Sequence, residues 1–413
     1  MPRALLLIPS TSYRAQDYLN AARRLGVEIV VGSDHRQALG AFSDGRTLAL
    51  EFSPVGEGVA QILEYARRFP LGAVIGTDDD TALLAASASK LLRLPHNDPG
   101  AVAITRDKYR LRQTMERAGL RSPWFRRIAP GDDVEEAARS VSYPCVLKPL
   151  DLSASRGVIR VDDAPGFTTA AGRIRRILRS AKGPDYHSQG DSILVEGFIP
   201  GREVALDGLL ERGRLTPIAL FDKPDPLDGP FFEETIYVTP SRLPQSQQRE
   251  IEAEVDRAAR ALGLREGPVH AELRVNDAGV WMVEMAARTI GGLCSRMLRF
   301  APGVTLEELV LRHALALPTG HLTRQGDAAG VMMIPIPRAG RLRGLTGLDA
   351  ARAIDAIDDV VISVAIGDSL VPLPEGDRYL GFIFARANAP AEVETALRRA
   401  HKQLEFDIEQ AAA

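Results

Sequence analysis

Apolar positions fall into two alternating periods over the first hundred residues. Ala4 to Ile8 is an unbroken apolar run of strand length, and Arg14 to Leu25 repeats at helical spacing. Val27 to Gly32 and Thr47 to Phe52 read as strands, Gly58 to Phe69 as a helix, Gly72 to Gly76 as a strand and Asp80 to Leu92 as a helix. Such βαβ alternation predicts a parallel sheet with helices on both faces. Ligands of these sheets sit beyond the strand C-termini. Those positions are Pro9-Ser10-Thr11-Ser12 and Thr77-Asp78-Asp79-Asp80, where Asp80 could equally be a helix N-cap.

The pattern changes at Arg121-Ser122-Pro123, after a helix from Asp107 to Ala118. Helix Val134 to Val141, strand Pro144 to Lys148, strand Gly157 to Val161, helix Phe167 to Ser180 and strand Ile193 to Glu196 form a smaller unit, which closes at Gly197-Phe198-Ile199-Pro200-Gly201. Strand pairs follow from Arg202 to Leu220. Asp222 to Glu234 is then a Pro/Asp/Gly-rich loop of the length typical of lids and binding loops, and its Phe231 and Phe232 either line a pocket or anchor the loop. Helices Gln247 to Leu262 and Leu306 to Ala316 flank a hairpin, and an α+β unit runs from Ala328 to the Ala-rich end, residues 411–413, which should fray. The expected division is 1–121, 122–201, 202–327 and 328–413, an α/β and α+β multidomain protein.

The hairpin carries the sharpest chemistry. Residues 269 to 275 and 280 to 286 read as strands, with Asp277-Ala278-Gly279 as a three-residue loop and its glycine left-handed. This register sets Glu272 opposite Glu284. Facing like charges destabilise a sheet unless something positive lies between them, and Mg²⁺ prefers oxygen ligands. A solvated face with two carboxylates in water is the other reading. Side chains recur every second residue, so His270, Glu272 and Arg274 share a face with Met282, Glu284 and Ala286, company that favours the metal. Arg288, Gly291 and Gly292 follow, a fork and a glycine turn suited to an anion, or else an ordinary ion pair and turn.

Lys148 ends a strand whose face also carries Pro144 and Val146, and the loop Leu152-Ser153-Ala154-Ser155-Arg156-Gly157 offers hydroxyls, free N–H groups and a glycine. An anion clamp and a polar turn both fit that loop. Lys108 opens a helix and read alone is a surface lysine. No G-x-G-x-x-G follows the first strand and no Walker motif occurs, so dinucleotide oxidoreductases and P-loop NTPases are poor fits.

Composition narrows the partners. A net charge of −3 without a basic block argues against nucleic acid, and Ala4 to Ile8 is too short for a signal core or a membrane span. Cys145 and Cys294 are too few for a disulfide framework or zinc site, so a reducing cytoplasm is expected.

Taken together, Asp107-Lys108, PCVLKPLDLSASRGV (144–158), LVEGFIPGREV (194–204) and the Glu272/Glu284 hairpin with Arg288 resemble the ATP-grasp superfamily, and within it the carboxylate–amine ligases of the L-amino acid ligase group. The resemblance covers nearly the whole chain. It implies an ATP-grasp fold with an N-terminal Rossmann-like (pre-ATP-grasp) domain, small and large ATP-grasp subdomains and a C-terminal α+β subdomain. It further implies that Lys108 and Lys148 contact ATP phosphates under a loop of Ser153, Ser155, Arg156 and Gly157. Glu196 with Phe198 and Ile199 would read adenine, Glu203 the ribose, and Met282 would pack beneath the ring. Glu272 and Glu284 would hold Mg²⁺, with Mn²⁺ as the alternative. Arg288 would hold carboxyl or acyl-phosphate oxygens, Lys223 would approach the γ-phosphate, and His270, Gly291 and Gly292 would contact substrate. Ala286 departs from the superfamily, where many members have a metal-binding Asn. The implied partners are a small-molecule carboxylate and amine, with a homodimer as the expected assembly. Two rival readings are an ATP-grasp carboxylase that activates bicarbonate and a nucleotide-binding regulator without turnover.

Overall fold

The computed structural model describes residues 2–10, 12, 14–35, 46–182, 192–320 and 328–410; Thr11 and the expected frayed end at 411–413 lie outside them. The chain runs β1 (Arg3–Leu7), α1 (Ala15–Leu25), β2 (Glu28–Ser33), β3 (Thr47–Ala49), α2 (Val55–Arg68), β4 (Ala73–Gly76), α3 (Asp79–Leu92), α4 (Pro99–Thr105) and α5 (Lys108–Arg117). It continues with β5 (Phe125–Ile128), α6 (Val134–Arg139), β6 (Cys145–Pro149), β7 (Ile159–Val161), α7 (Ala164–Lys182) and β8 (Ile193–Gly197). Next come β9 (Arg202–Glu211), β10 (Arg214–Asp222), β11 (Ile236–Thr239), α8 (Gln245–Leu262), β12 (Gly267–Asn276), β13 (Gly279–Ala286), β14 (Arg299–Phe300), β15 (Val304–Thr305) and α9 (Leu306–Ala314). The last part holds β16 (Ala328–Ile334), β17 (Gly340–Thr346), α10 (Leu348–Arg352), β18 (Ile357–Ile362), β19 (Ser369–Leu370), β20 (Gly381–Ala387), α11 (Pro390–His401) and β21 (Glu405–Glu409).

The N-terminal sheet is parallel, in the order β3-β2-β1-β4. Strand β1 is apolar on both sides because both are covered: Leu6 packs with α1, while Leu5 and Leu7 pack with α2 and α3. The order reverses direction between β1 and β4, so their C-terminal loops diverge and leave a crevice. Asp78, not Asp80, caps the helix that follows, in a capping box with Thr81.

Strands β5 to β8 form a second, smaller sheet in the order β5-β8-β6-β7, with α6 and α7 packed on it through Ala137, Ala138, Phe167, Ala171 and Ile174. The large sheet has eight strands in the order β13-β12-β9-β10-β11-β16-β20-β18. It therefore runs across residues 327/328, and β16, β20 and β18 extend it rather than form a separate sheet. Helix α8 covers one face with Ile251, Val255, Ala258, Ala259 and Leu262, a stripe at helical spacing, and ends at left-handed Gly263.

The hairpin reaches the expected pairing by another route. Asn276 pairs with Gly279, so the loop is the two residues Asp277 and Ala278. A bulge beyond Leu273 and Met282 then restores the register, and Glu272 lies opposite Glu284. Arg112 of α5 braces this bulge, donating to the Met282 carbonyl at 2.7 Å and the Val283 carbonyl at 3.0 Å. Its other donors reach Glu196 of β8 at 2.7 and 3.3 Å, and Lys148 of β6 meets the same carboxylate at 2.5 Å.

Arg112 and Glu196 are almost fully buried, so removing one partner strands the other. Arg112→Met should lower unfolding free energy by about 3–5 kcal/mol, read from urea midpoints. Burial alone would raise the Glu196 pKa, but Arg112 and Lys148 outweigh it and hold the carboxyl at about 2. Its stabilisation is thus complete above the ordinary value of 4.5 and is lost as pH falls toward 2. Glu196→Gln should flatten the acid limb of a stability–pH curve over that window.

Candidate active site

A cavity of about 410 Å³ opens where the N-terminal crevice, the small sheet, the hairpin and the C-terminal strands meet. Val146, Lys148, Glu196, Phe198 and Ile199 line the small-sheet side. Pro9, Ser12, Arg14 and Asp78 to Asp80 come from the crevice, as the strand order requires. His270, Glu272, Arg274, Glu284 and Arg288 line the hairpin side, and Met333, Tyr379 and Phe382 close it from the C-terminal strands.

The cations on the wall are already engaged. Lys108 donates to the Leu152 carbonyl at 2.7 Å and lies 3.4 Å from Glu284, which links α5, the 152–157 loop and the hairpin. That loop takes left-handed backbone at Ala154, Ser155 and Gly157, with φ of 55°, 55° and 73°. Two consecutive non-glycine residues there cost energy that the surrounding contacts must offset. Ser153 and Ser155 face the cavity. Arg156 and Gly157 do not: the Arg156 guanidinium donates to the Glu375 carbonyl at 2.8 Å, and the Gly157 N–H to the Pro374 carbonyl at 2.9 Å. They fasten the loop to the C-terminal unit instead of facing a phosphate.

Met282 is a second departure. The bulge turns it into the core beneath α8, fully buried, and Val283 takes the cavity position. Lys223 is a third. It lies behind the wall, 2.8 Å from Glu203, 2.5 Å from Glu234 and 3.2 Å from Glu272, with the Tyr237 ring 4.9 Å away. Burial opposes its charge, but the carboxylates prevail and hold its pKa well above normal. The loop phenylalanines divide the two roles considered for them. Phe232 lines the cavity near Phe198, whereas Phe231 pairs with Ile159 and lies 4.9 Å beneath Arg173.

Strand register explains the remaining pairs. His270 of β12 lies opposite Asp207 of β9, and Arg274 opposite Glu203. The His270 Nδ1 is 2.6 Å from Asp207, its Nε2 is 3.5 Å from Glu272, and Arg274 donates to Glu203 at 2.9 Å. Burial would lower the His270 pKa, but the hydrogen bonds and charges of Asp207 and Glu272 raise it to about 9. Oxygens of Glu203, Glu234 and Glu272 lie within 4.8 Å of one another. There Lys223 and His270 keep Glu272 ionised against burial, while burial and Glu272 push Glu234 up to about 7. Arg288 donates to Asp79 at 2.7 Å. Gly291 and Gly292 border the cavity, and a Cβ on Gly291 would meet nothing within 4 Å.

Sequence reasoning missed Arg14, Asp207, Glu234 and Tyr237. Asp207 had a signal, since it shares a face of β9 with Glu203 and interrupts the apolar run from Val204 to Leu210. Glu234 ends the 222–234 loop, and nothing in its sequence context marks it as a cavity residue.

Residues 141–297 match an ATP-grasp domain, and residues 332–409 match the L-amino acid ligase C-terminal domain 2. An alanine–anticapsin ligase of Bacillus subtilis is 27% identical over 62% of this chain and 57% of its own length. A D-alanine–D-alanine ligase of Methylibium petroleiphilum is 30% identical over 57% of this chain and 70% of its own length. The crystal structure of an L-amino acid ligase from Bacillus licheniformis shares the fold with a TM-score of 0.82, at 23% identity and 99% coverage of both chains. Among the described residues no helix is long and apolar enough to cross a membrane. The chain belongs to the ATP-grasp superfamily of ATP-dependent ligases that form carbon–nitrogen bonds, and it carries a C-terminal domain of the kind found in L-amino acid ligases.

Proposed function

We propose that this protein joins the carboxylate of one amino-acid-like substrate to the amine of another, with ATP activating the carboxylate as an acyl phosphate and ADP and phosphate released. The observation that carries this is the meeting, in one cavity, of two lysines, a facing pair of carboxylates and a guanidinium contributed by separate parts of the chain. Binding nucleotide alone needs no anion site beside the acidic pair. Transferring a phosphoryl group to a carboxylate does.

The donor set fits a hard cation, because Glu272 and Glu284 are paired across the two strands and both line the cavity with carboxylates. Glu272 and Glu284 would hold Mg²⁺ or Mn²⁺, which supplies charge neutralisation for phosphate oxygens. Lys108 and Lys148 border the cavity and would exchange their protein partners for phosphate oxygens. Arg288 would orient the carboxylate toward the γ-phosphorus, and a preorganised guanidinium there needs little rearrangement. Phe232 and the 222–234 loop would keep water from the acyl phosphate. Glu196 is saturated by Arg112 and Lys148, so an adenine is more simply read by the backbone around Phe198 and Ile199. The proposal includes a cytoplasmic location, favoured by two free cysteines, and a homodimer, to be read from sedimentation.

ATP turnover with Mg²⁺ against a panel of amino-acid pairs, with product masses, tests the assignment. ADP and an amide product support it; AMP, or consumption of bicarbonate without an amine, contradicts it. Glu284→Ala removes a half-exposed carboxylate and should fold normally while losing at least about a hundredfold in kcat.

A further inference from the structure

The turn between β19 and β20 belongs to the C-terminal unit, yet it reaches the 152–157 loop of the small sheet. The Gly376 N–H donates to the Pro372 carbonyl at 2.9 Å, and a Cβ on Gly376 would collide with the Val371 carbonyl oxygen. Glycine is therefore required for so tight a turn. Its next two carbonyls both accept from the loop: the Gly157 N–H donates to Pro374 at 2.9 Å, and the Arg156 Nε to Glu375 at 2.8 Å. The Glu375 carboxylate takes both arms of the Arg173 fork, from α7, at 2.6 and 2.9 Å. Two residues further on, Asp377 lines the cavity.

The loop held in this way is costly to hold. Ala154 and Ser155 are left-handed without being glycine, while Ser153 and Ser155 face the cavity. Its other anchor is Lys108, which donates to the Leu152 carbonyl. A phosphate that captured Lys108 would release that anchor just when the loop is needed, and the turn at 372–376 would still hold the far end. Hydrogen bonds from Arg173 keep the Glu375 carboxyl below its ordinary pKa, so the pair is charged at neutral pH. Both side chains are more than a third exposed, and such a pair adds little to global stability. The Arg173 guanidinium also lies 4.9 Å from the Phe231 ring, so α7, the turn and the 222–234 loop meet at one side chain.

We propose that Glu375 is a positioning residue for ATP: bridged to Arg173, it fixes the turn that holds the 152–157 loop against the phosphates, without touching the nucleotide itself. The C-terminal unit then acts on nucleotide binding as well as closing the cavity. The inference rests on the proposed function for the reaction that the bound ATP serves. A binding loop that spends only part of its time in place lowers apparent affinity by that fraction. Losing the bridge, with the loop then in place about a tenth of the time, weakens ATP about tenfold. The amino-acid side of the cavity, at Arg288 and His270, is built from other elements and keeps its affinities.

The test titrates the full chain with MgATP by calorimetry, without amino acids, and compares Glu375→Ala, Arg173→Glu and the charge-swapped double variant Arg173→Glu with Glu375→Arg. Each single variant should bind MgATP about tenfold more weakly at a wild-type urea midpoint, and the swap should recover most of the loss. In turnover, KM for ATP should rise in parallel while KM for the amino-acid substrates stays unchanged. Affinity of Glu375→Ala within about twofold of wild type overturns the positioning role, as does a swap that binds no better than Arg173→Glu alone. A lowered urea midpoint with KM raised for every substrate marks plain packing and overturns it too. Wild-type protein that binds MgATP but turns over no pair of substrates overturns the ligase assignment, and the titration still decides the role of Glu375.

Discussion

The guanidinium of Arg112 holds the site together. It emerges from α5 at the junction of the N-terminal unit, the small sheet and the hairpin, and each side of it meets a different partner. Consecutive carbonyls of a regular strand point to opposite sides, so both Met282 and Val283 reaching one guanidinium marks the bulge. That bulge decides which residues of β13 face the cavity, and it sets Glu284 opposite Glu272. The other side of Arg112 neutralises Glu196, which in turn positions Lys148. Acidic and basic poles of the cavity are thus fixed through one buried side chain.

Most charged groups on the cavity wall have an internal partner: Lys148 with Glu196, Lys108 with Glu284, Arg274 with Glu203, Arg288 with Asp79. A wall of paired charges carries little net field, and ligands bind it by exchange. Under the proposed function, phosphates would compete for the lysines and cations for the glutamates. Exchange keeps the desolvation cost of each step low, because a charge already withdrawn from water gains a new partner as it loses the old one. Lys223 differs, since three carboxylates and a tyrosine ring enclose it, and it keeps Glu272 ionised rather than meeting a substrate.

Much of this was legible in the sequence because it depends on local periodicity. The parallel N-terminal sheet, the crevice loops at 9–12 and 77–80, and the shared face of His270, Glu272 and Arg274 follow from strand and helix periods and the rule for open sheets. The bulge was not legible, since its brace lies 170 residues upstream, and a three-residue loop happened to give the same Glu272–Glu284 pairing. Met282 was accordingly assigned to the wrong face. Arg156 and Gly157 turn toward Glu375 and Pro374, partners more than 200 residues away. Lys223 is enclosed by β9, β12 and the end of the 222–234 loop, an arrangement set by the order of the large sheet.

The proposed function requires that a carboxylate oxygen become bonded to phosphorus at this site. A donor labelled with ¹⁸O in its carboxylate, taken through a single turnover with ATP and an amine, tests it by the isotope content of the phosphate released. One ¹⁸O atom in each phosphate is the predicted result, because the acyl phosphate breaks at its carbonyl when the amine attacks. Phosphate free of label, with amide product formed, would contradict it.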